Sequence, residues 1–240
     1  MKKVSLSNRL TQVAILAYVA GYVEVVGYLD IVGVYPGIMT GNTVQLGLEI
    51  VRGRWNLVVL FSAAVATFFM CCLIASMISR RLRNKNHTLM VIALILLLAL
   101  VTDFYPTTKI FVEFPLLALA MALQGQSFIK FGDISLQTVV VTNNILKFCT
   151  ALVGRYSFRS LKTFTNRERP HVAEVLLPGA GWFSYSVGAA SGAWVSNFFR
   201  FSLLLPAVFL VLLSFPVFKC GNHGIAGRQY GGTADPGINK

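Results

Sequence analysis

Met39-Thr40-Gly41-Asn42-Thr43 is a polar, glycine-bearing stretch set among apolar residues, and a related stretch, Val141-Thr142-Asn143-Asn144-Ile145, returns at an offset of 102 residues. At that offset Thr40 and Asn42 correspond to Thr142 and Asn144. The match extends upstream, where Ala20-Gly21-Tyr22-Val23-Glu24 lies over Ala122-Leu123-Gln124-Gly125-Gln126 and sets an acid over its amide analogue. Downstream, Gly53-Arg54-Trp55 lies over Gly154-Arg155-Tyr156 with a one-residue slip. The chain therefore reads as two halves of one duplicated unit.

The residues around the stretch define its setting. Hydrophobic residues make up 55% of the chain and charged residues 12%, with a mean hydropathy of +0.68. Those values are far from soluble averages and mark an integral membrane protein, with the lipid bilayer as its first partner. Residues 1–218 read as a single membrane domain, with repeat one over about 13–105 and repeat two over about 110–218. Residues 219–240 read as a disordered polar tail.

The net charge of +12 does not point to nucleic acid. The basic residues form no stripe. They gather in blocks: Lys2, Lys3 and Arg9; Arg80, Arg81, Arg83 and Lys85; Arg155, Arg159, Lys162, Arg167 and Arg169. Such blocks are what the positive-inside rule produces. Cys71, Cys72, Cys149 and Cys220 have neither zinc-ligand nor disulfide spacing, so no metal and no cofactor is expected.

Val13 to Val34 is long enough, at about 1.5 Å per residue, to cross a hydrocarbon core. It carries Glu24 near its middle and Asp30 near its end. An intramembrane acid costs about 2.5–3.5 kcal/mol on insertion scales and so faces other helices or water. Two readings stand for Glu24: a protonated acid donating a hydrogen bond inside the bundle, or a substrate or proton site. Pro36-Gly37 then breaks the chain, and Ile38 to Val51 is too short for a full crossing, as a half-helix or re-entrant segment would be. The free N–H groups of such a half-helix, together with Thr40 and Asn42, are candidate ligands. The alternative is that Thr40 and Asn42 only bridge neighbouring helices.

Leu57 to Ile78 and Thr88 to Tyr105 complete the first half. The second half reads as Ile110 to Phe128, Ile134 to Gly154, Val172 to Phe199 and Phe201 to Phe218. Gln126, the counterpart of Glu24, cannot titrate, so a site flanked by the two is chemically unequal. Gly188 and Gly192 form a G-x-x-x-G pair that serves either internal packing or a homodimer contact.

If both short polar segments cross, there are eight spans in parallel halves; if neither does, there are six in inverted halves. Inversion gathers more of the Lys and Arg on one side, with both termini cytoplasmic. The expected fold is thus an all-α polytopic membrane protein of two inverted tandem repeats, each with three spans and a short broken or re-entrant helix.

Ala20-Gly21-x-x-Glu24, Met39-Thr40-Gly41-Asn42, Met121-Ala122-Leu123-Gln124 and Val141-Thr142 together resemble the YoaK family of bacterial multi-spanning membrane proteins over roughly residues 10–218. Two departures stand out: Glu24, where the family more often has Asp, and Asn143, where it more often has Gly. The resemblance implies a bacterial inner membrane and a small-molecule transporter of unstated substrate.

The expected function is a secondary transporter or permease of an unknown small solute, with Glu24, Thr40, Gly41, Asn42, Gln126, Thr142 and Asn144 as site residues. An anionic or amide-bearing solute suits two half-helix N-termini. A non-transporting scaffold or regulatory protein is the rival. An enzyme is not expected: the chain has no H-E-x-x-H or G-x-S-x-G, and His87, His171 and His223 all fall in predicted loops.

Overall fold

The first helix, α1 (Leu6–Asp30), is buried on nearly every side through its middle, from Val13 to Gly27. A helix that is apolar all round belongs inside a bundle, and the others are arranged about this one. The structure is a computed structural model that describes residues 6–31, 33–82, 84–105, 109–126, 129–131, 134–136, 141–156 and 170–215. The tail from residue 219, with Cys220 and His223, lies outside the described residues.

After α1 come α2 (Met39–Val51), α3 (Trp55–Arg81) and α4 (Lys85–Val101), the last extended by a 3-10 turn at Thr102–Phe104. A π-helical turn at Lys109–Glu113 leads into α5 (Phe114–Gly125), and α6 (Val141–Tyr156), α7 (Val172–Ser196) and α8 (Leu204–Ser214) follow. Among the described residues three helices are by themselves long and apolar enough to cross a membrane: Leu6–Asp30, Trp55–Arg81 and Asn86–Phe104. Exposed Val59, Phe69, Met70, Leu73 and Met77 along α3 make an outer surface suited to lipid.

One expected segment is divided. Ile134 to Gly154 is not a single helix: Ile129–Phe131 pairs antiparallel with Ile134–Leu136, Ile129 opposite Leu136, and the described helix α6 covers Val141–Tyr156. Ile129, Phe131 and Ile134, within the paired strands, are β-branched or aromatic residues, which favour extended backbone over helix.

Contacts between helices fix their directions. Gln124 of α5 donates to the Leu16 carbonyl of α1, while Leu117 packs by Gly27, so α1 and α5 run antiparallel. Cys71 of α3 lies by Pro115 and Ser76 by Gln126, so α3 and α5 run parallel. On α7, Gly181, Gly188 and Gly192 meet Val13, Tyr18 and Tyr22 in turn, so α1 and α7 run parallel. The end of α4 and the start of α8 meet through Phe104 and Phe201, with ring centroids 5.5 Å apart.

The crossing of α1 and α7 is unusually close. A Cβ on Gly188 would overlap the Tyr18 carbonyl, and one on Gly21 would overlap the carbonyl of Tyr185. Small residues let two helix backbones approach in this way. The face that bears Gly188 and Gly192 thus packs on Tyr18 and Tyr22 of α1 in the same chain.

Candidate functional site

The site grows out of the way the chain leaves α1. After Asp30 it turns at Gly33, whose φ of 79° favours glycine, and folds back along the helix it has just left. Pro36 then packs on Gly27, and Gly37 arrives beside Glu24. A Cβ at Gly37 would collide with Glu24 Oε1 and crowd Met121 of α5. Gly37 is therefore what allows backbone to lie against the carboxylate.

Glu24 is 1% exposed, and neither carboxylate oxygen closes a hydrogen bond among the described residues. The N–H groups of Gly37 and Ile38 face it from the N-terminal end of α2. Among the described residues no basic side chain pairs with it. The other five described acids all have partners. Lys109 Nζ lies 3.1 Å from Asp30, 3.1 Å from Asp103 and 3.8 Å from Glu113. Glu49 pairs with Arg52 and Arg54. Glu174 accepts from the His171 N–H in a capping box.

The motif that follows shapes this corner. The Asn42 side-chain amide pairs with the peptide of Tyr35, its Oδ1 accepting from the N–H at 2.9 Å and its Nδ2 donating to the C=O at 2.8 Å. Gly41 leaves space for the Tyr35 ring, which would lie 3.0 Å from a Cβ there. Thr43 Oγ1 donates to the Met39 carbonyl at 2.8 Å. Thr40 is exposed. Asn42 is thus fully occupied in closing the 35–42 loop, and the N-terminus of α2 is not an open anion site, because Glu24 already faces it.

Tyrosines complete the surroundings. Tyr28 and Tyr35 have ring centroids 4.6 Å apart. Tyr35 and Tyr185 both lie within electrostatic reach of Glu24 and of each other. The Tyr185 backbone rests on Gly21, one helical turn before Glu24.

The second-half residues do not join this corner. Gln126 donates to the Cys72 carbonyl at 3.2 Å and to Ser76 Oγ at 2.9 Å, both on α3. Gln124, two residues earlier and on the opposite face of α5, is the one that reaches α1. Asn144 is buried against Gly181 of α7, and Thr142 is exposed. Glu24 and Gln126 therefore do not flank one site.

Two clusters escaped the sequence reading. Asp30, Asp103 and Glu113 bring carboxylate oxygens within 4.8 Å of one another where α1, α4 and α5 meet, and the Lys109 ammonium already supplies the cation there. Thr102 donates to Glu113 at 2.9 Å, and Arg200 donates to the Asp103 carbonyl. The i,i+4 spacing of Lys109 and Glu113 was the available signal. At the α2–α3 turn, Arg54 grips buried Glu49 with two nitrogens, one of them 2.6 Å from Oε1. Separately, an apolar groove of about 300 Å³ runs between α1, α7 and α8, lined by Ile15, Tyr18, Phe183 and Phe209 but by no residue of the Glu24 corner.

Residues 12–215 match the model of a family described as a protein of unknown function, DUF1275. The chain belongs to the DUF1275 family. Among curated proteins, the UPF0700 transmembrane protein YoaK of Bacillus subtilis (strain 168) is 26% identical over 212 residues, spanning 84% of this chain and 91% of that protein. No solved structure matches the chain. For this DUF1275 member the transmembrane relative and the three long apolar helices agree on a membrane protein, and the expected YoaK resemblance is borne out.

Proposed function

We propose that this DUF1275 protein is a secondary transporter or permease of a small solute, with Glu24 as the group that exchanges a proton or holds the solute. The observation that carries the reading is Glu24 itself: a fully buried carboxylate in the middle of α1, faced by the backbone N–H groups of Gly37 and Ile38 at the tip of a folded-back segment and with no charged partner among the described residues. Buried acids kept for stability are paired, as Glu49 and Glu113 are. An unpaired intramembrane acid is a functional group by default.

The helix directions support an inverted duplication. α1 and α5 occupy equivalent places at the 102-residue offset and run antiparallel, and α4 ends where α8 begins. With Arg80 and Arg81 at the end of the bundle where α1 starts, the positive-inside rule favours cytoplasmic termini and an external Gly53-Arg54 loop. Single-cysteine labelling of that loop from each face of intact cells checks this; labelling from the cytoplasmic face would overturn it.

The transport reading is tested in proteoliposomes with a trapped pH-sensitive dye, challenged with a panel of amines, amino acids, sugars and organic acids. At least one solute should drive proton movement in the wild type, and Glu24→Gln should abolish it while leaving the protein monodisperse. No solute-driven movement across the panel, or equal movement in the variant, refutes the reading. A scaffold role remains the second reading, favoured by Asn42, Gln124 and Gln126, each of which is bonded within the protein.

A further inference from the structure

Tyr18, Ser184 and Phe209 stand at the midpoints of α1, α7 and α8, and all three line the apolar groove between those helices. α1 is long and apolar enough to cross a membrane, and α7 runs beside it in the same direction. The groove therefore sits at the depth of the bilayer centre, about 15 Å from either boundary of a hydrocarbon core about 30 Å thick. Lipid head groups do not reach that depth, so the groove is offered to hydrocarbon.

Its wall is fixed before anything docks. Ser191 Oγ lies 2.7 Å from the Tyr18 hydroxyl, and the Tyr18 ring meets Phe209 edge-on with centroids 5.5 Å apart. The Tyr18 carbonyl lies against Gly188 at the close crossing of α1 and α7. Ala14 and Ser184 are the small residues of the lining, and the space of about 300 Å³ is at the lower end of pockets that hold whole small molecules, about 300–1,000 Å³. No charged residue lines it among the described residues. The groove is also continuous with the lipid-facing surface. Phe183 and Val187 on its rim are exposed, and Leu176, two turns before Phe183 on the same face of α7, and Val208 and Leu212 of α8 are exposed as well. The chain's own C-terminal segment is a poor match, because from Lys219 onward its sequence is polar and rich in glycine. Lipid tails are as apolar as leucine, so shape rather than the hydrophobic effect decides what stays, and a rigid concave wall makes more van der Waals contact with a chain than a flat helix face does.

We infer that the groove is a binding site for one acyl chain of a membrane phospholipid, whose end segment lies between Tyr18, Phe183 and Phe209. The site shares no lining residue with the Glu24 corner, so it stands or falls independently of the transport reading.

The test uses the full chain in nanodiscs made with a phosphatidylcholine that carries a diazirine at the end of one acyl chain, which puts the probe at the bilayer centre. After irradiation, labelled residues are mapped by mass spectrometry. Labelling should be several-fold denser on Ile15, Phe183 and Phe209 than on Phe69 and Met70, exposed apolar residues near the middle of α3 and outside the groove. Ala14→Phe and Ser184→Phe place a ring in the groove and should bring its labelling down to the α3 level, whereas Val59→Phe, on the exposed side of α3, should leave it unchanged. Size exclusion shows whether each variant is folded. Should one groove-filling variant fail to fold, the other carries the test; should both fail, the comparison of groove and α3 in the wild type decides alone. No enrichment over α3, whether because the groove is empty or because it keeps a co-purified molecule of another kind or the chain's own C-terminal segment, overturns the inference. Enrichment undiminished in a folded groove-filling variant overturns it equally.

Discussion

Replacing Asn42 with Ala should destabilise the protein well beyond an ordinary polar truncation. The amide makes two hydrogen bonds to one peptide group, at 2.9 and 2.8 Å, from a side chain with no exposed surface. Truncation removes both and leaves the N–H and C=O of Tyr35 without partners in a half-buried loop. Each stranded group costs about 1–3 kcal/mol, so the pair costs about 2–6 kcal/mol, less whatever water can enter. For a chain of this size that corresponds to a fall of about 10 °C in unfolding temperature, taking about 3 °C per kcal/mol. Thr40→Ala, in the same motif but exposed, should stay within about 0.5 kcal/mol of wild type. Asn42→Asp keeps the acceptor for the Tyr35 N–H and loses the donor, so it should fall at least as far as one lost bond requires. The assay is thermal unfolding in detergent, read by the loss of monodisperse protein on size exclusion after heating. If Asn42→Ala and Thr40→Ala unfold together, Asn42 is not closing the loop and the motif is a ligand set after all.

Three further outcomes follow from the packing. Gly188→Leu must force α1 and α7 apart against the Tyr18 carbonyl, and should lower stability by about 1–3 kcal/mol or prevent accumulation of folded protein, whereas Gly47→Ala, with open space around it, should not. Lys109→Met strands the buried carboxylates of Asp103 and Glu113, and breaking a buried pair costs about 3–5 kcal/mol, which thermal unfolding would register. Glu49→Gln loosens the fork on Arg54. Because both arginines are half-exposed, the loss is only about 1 kcal/mol, and the sharper readout is faster trypsin cleavage after Arg52 and Arg54.

Much of the fold is legible because lipid imposes few options: apolar length, basic blocks and a Pro-Gly break mark most helix boundaries before any contact is known. Register across helices is harder. The offset that sets Glu24 over Gln126 is a statement about chain order, and residues two apart on α5 point to opposite faces, so Gln124 turns to α1 and Gln126 to α3. Asp30, Asp103 and Glu113 each mark a helix end in the sequence; only the meeting of α1, α4 and α5 makes them one cluster on Lys109. Tyr35 and Tyr185 gave no signal at all, since an aromatic among apolar residues reads as core or lipid contact until its neighbour is seen.

The two kinds of residue at the corner should separate under mutation. Asn42, Gly41 and Gly37 hold the folded-back segment in place, so changing them costs stability first and any binding second. Glu24 is the opposite case. Among the described residues its oxygens meet no cation and only the backbone N–H groups of Gly37 and Ile38, so the fold gains little from its charge and bears the cost of its burial. Glu24→Gln keeps the shape, removes the acid and should unfold at the wild-type temperature or above it, as removing a group kept for function often does. The same substitution should abolish solute-driven proton movement. Stability retained with function lost at Glu24, set against stability lost at Asn42, is a pattern that a purely architectural corner would not produce. If Glu24→Gln instead unfolds several degrees early, the carboxylate is a structural bond and the functional reading of this corner fails with it.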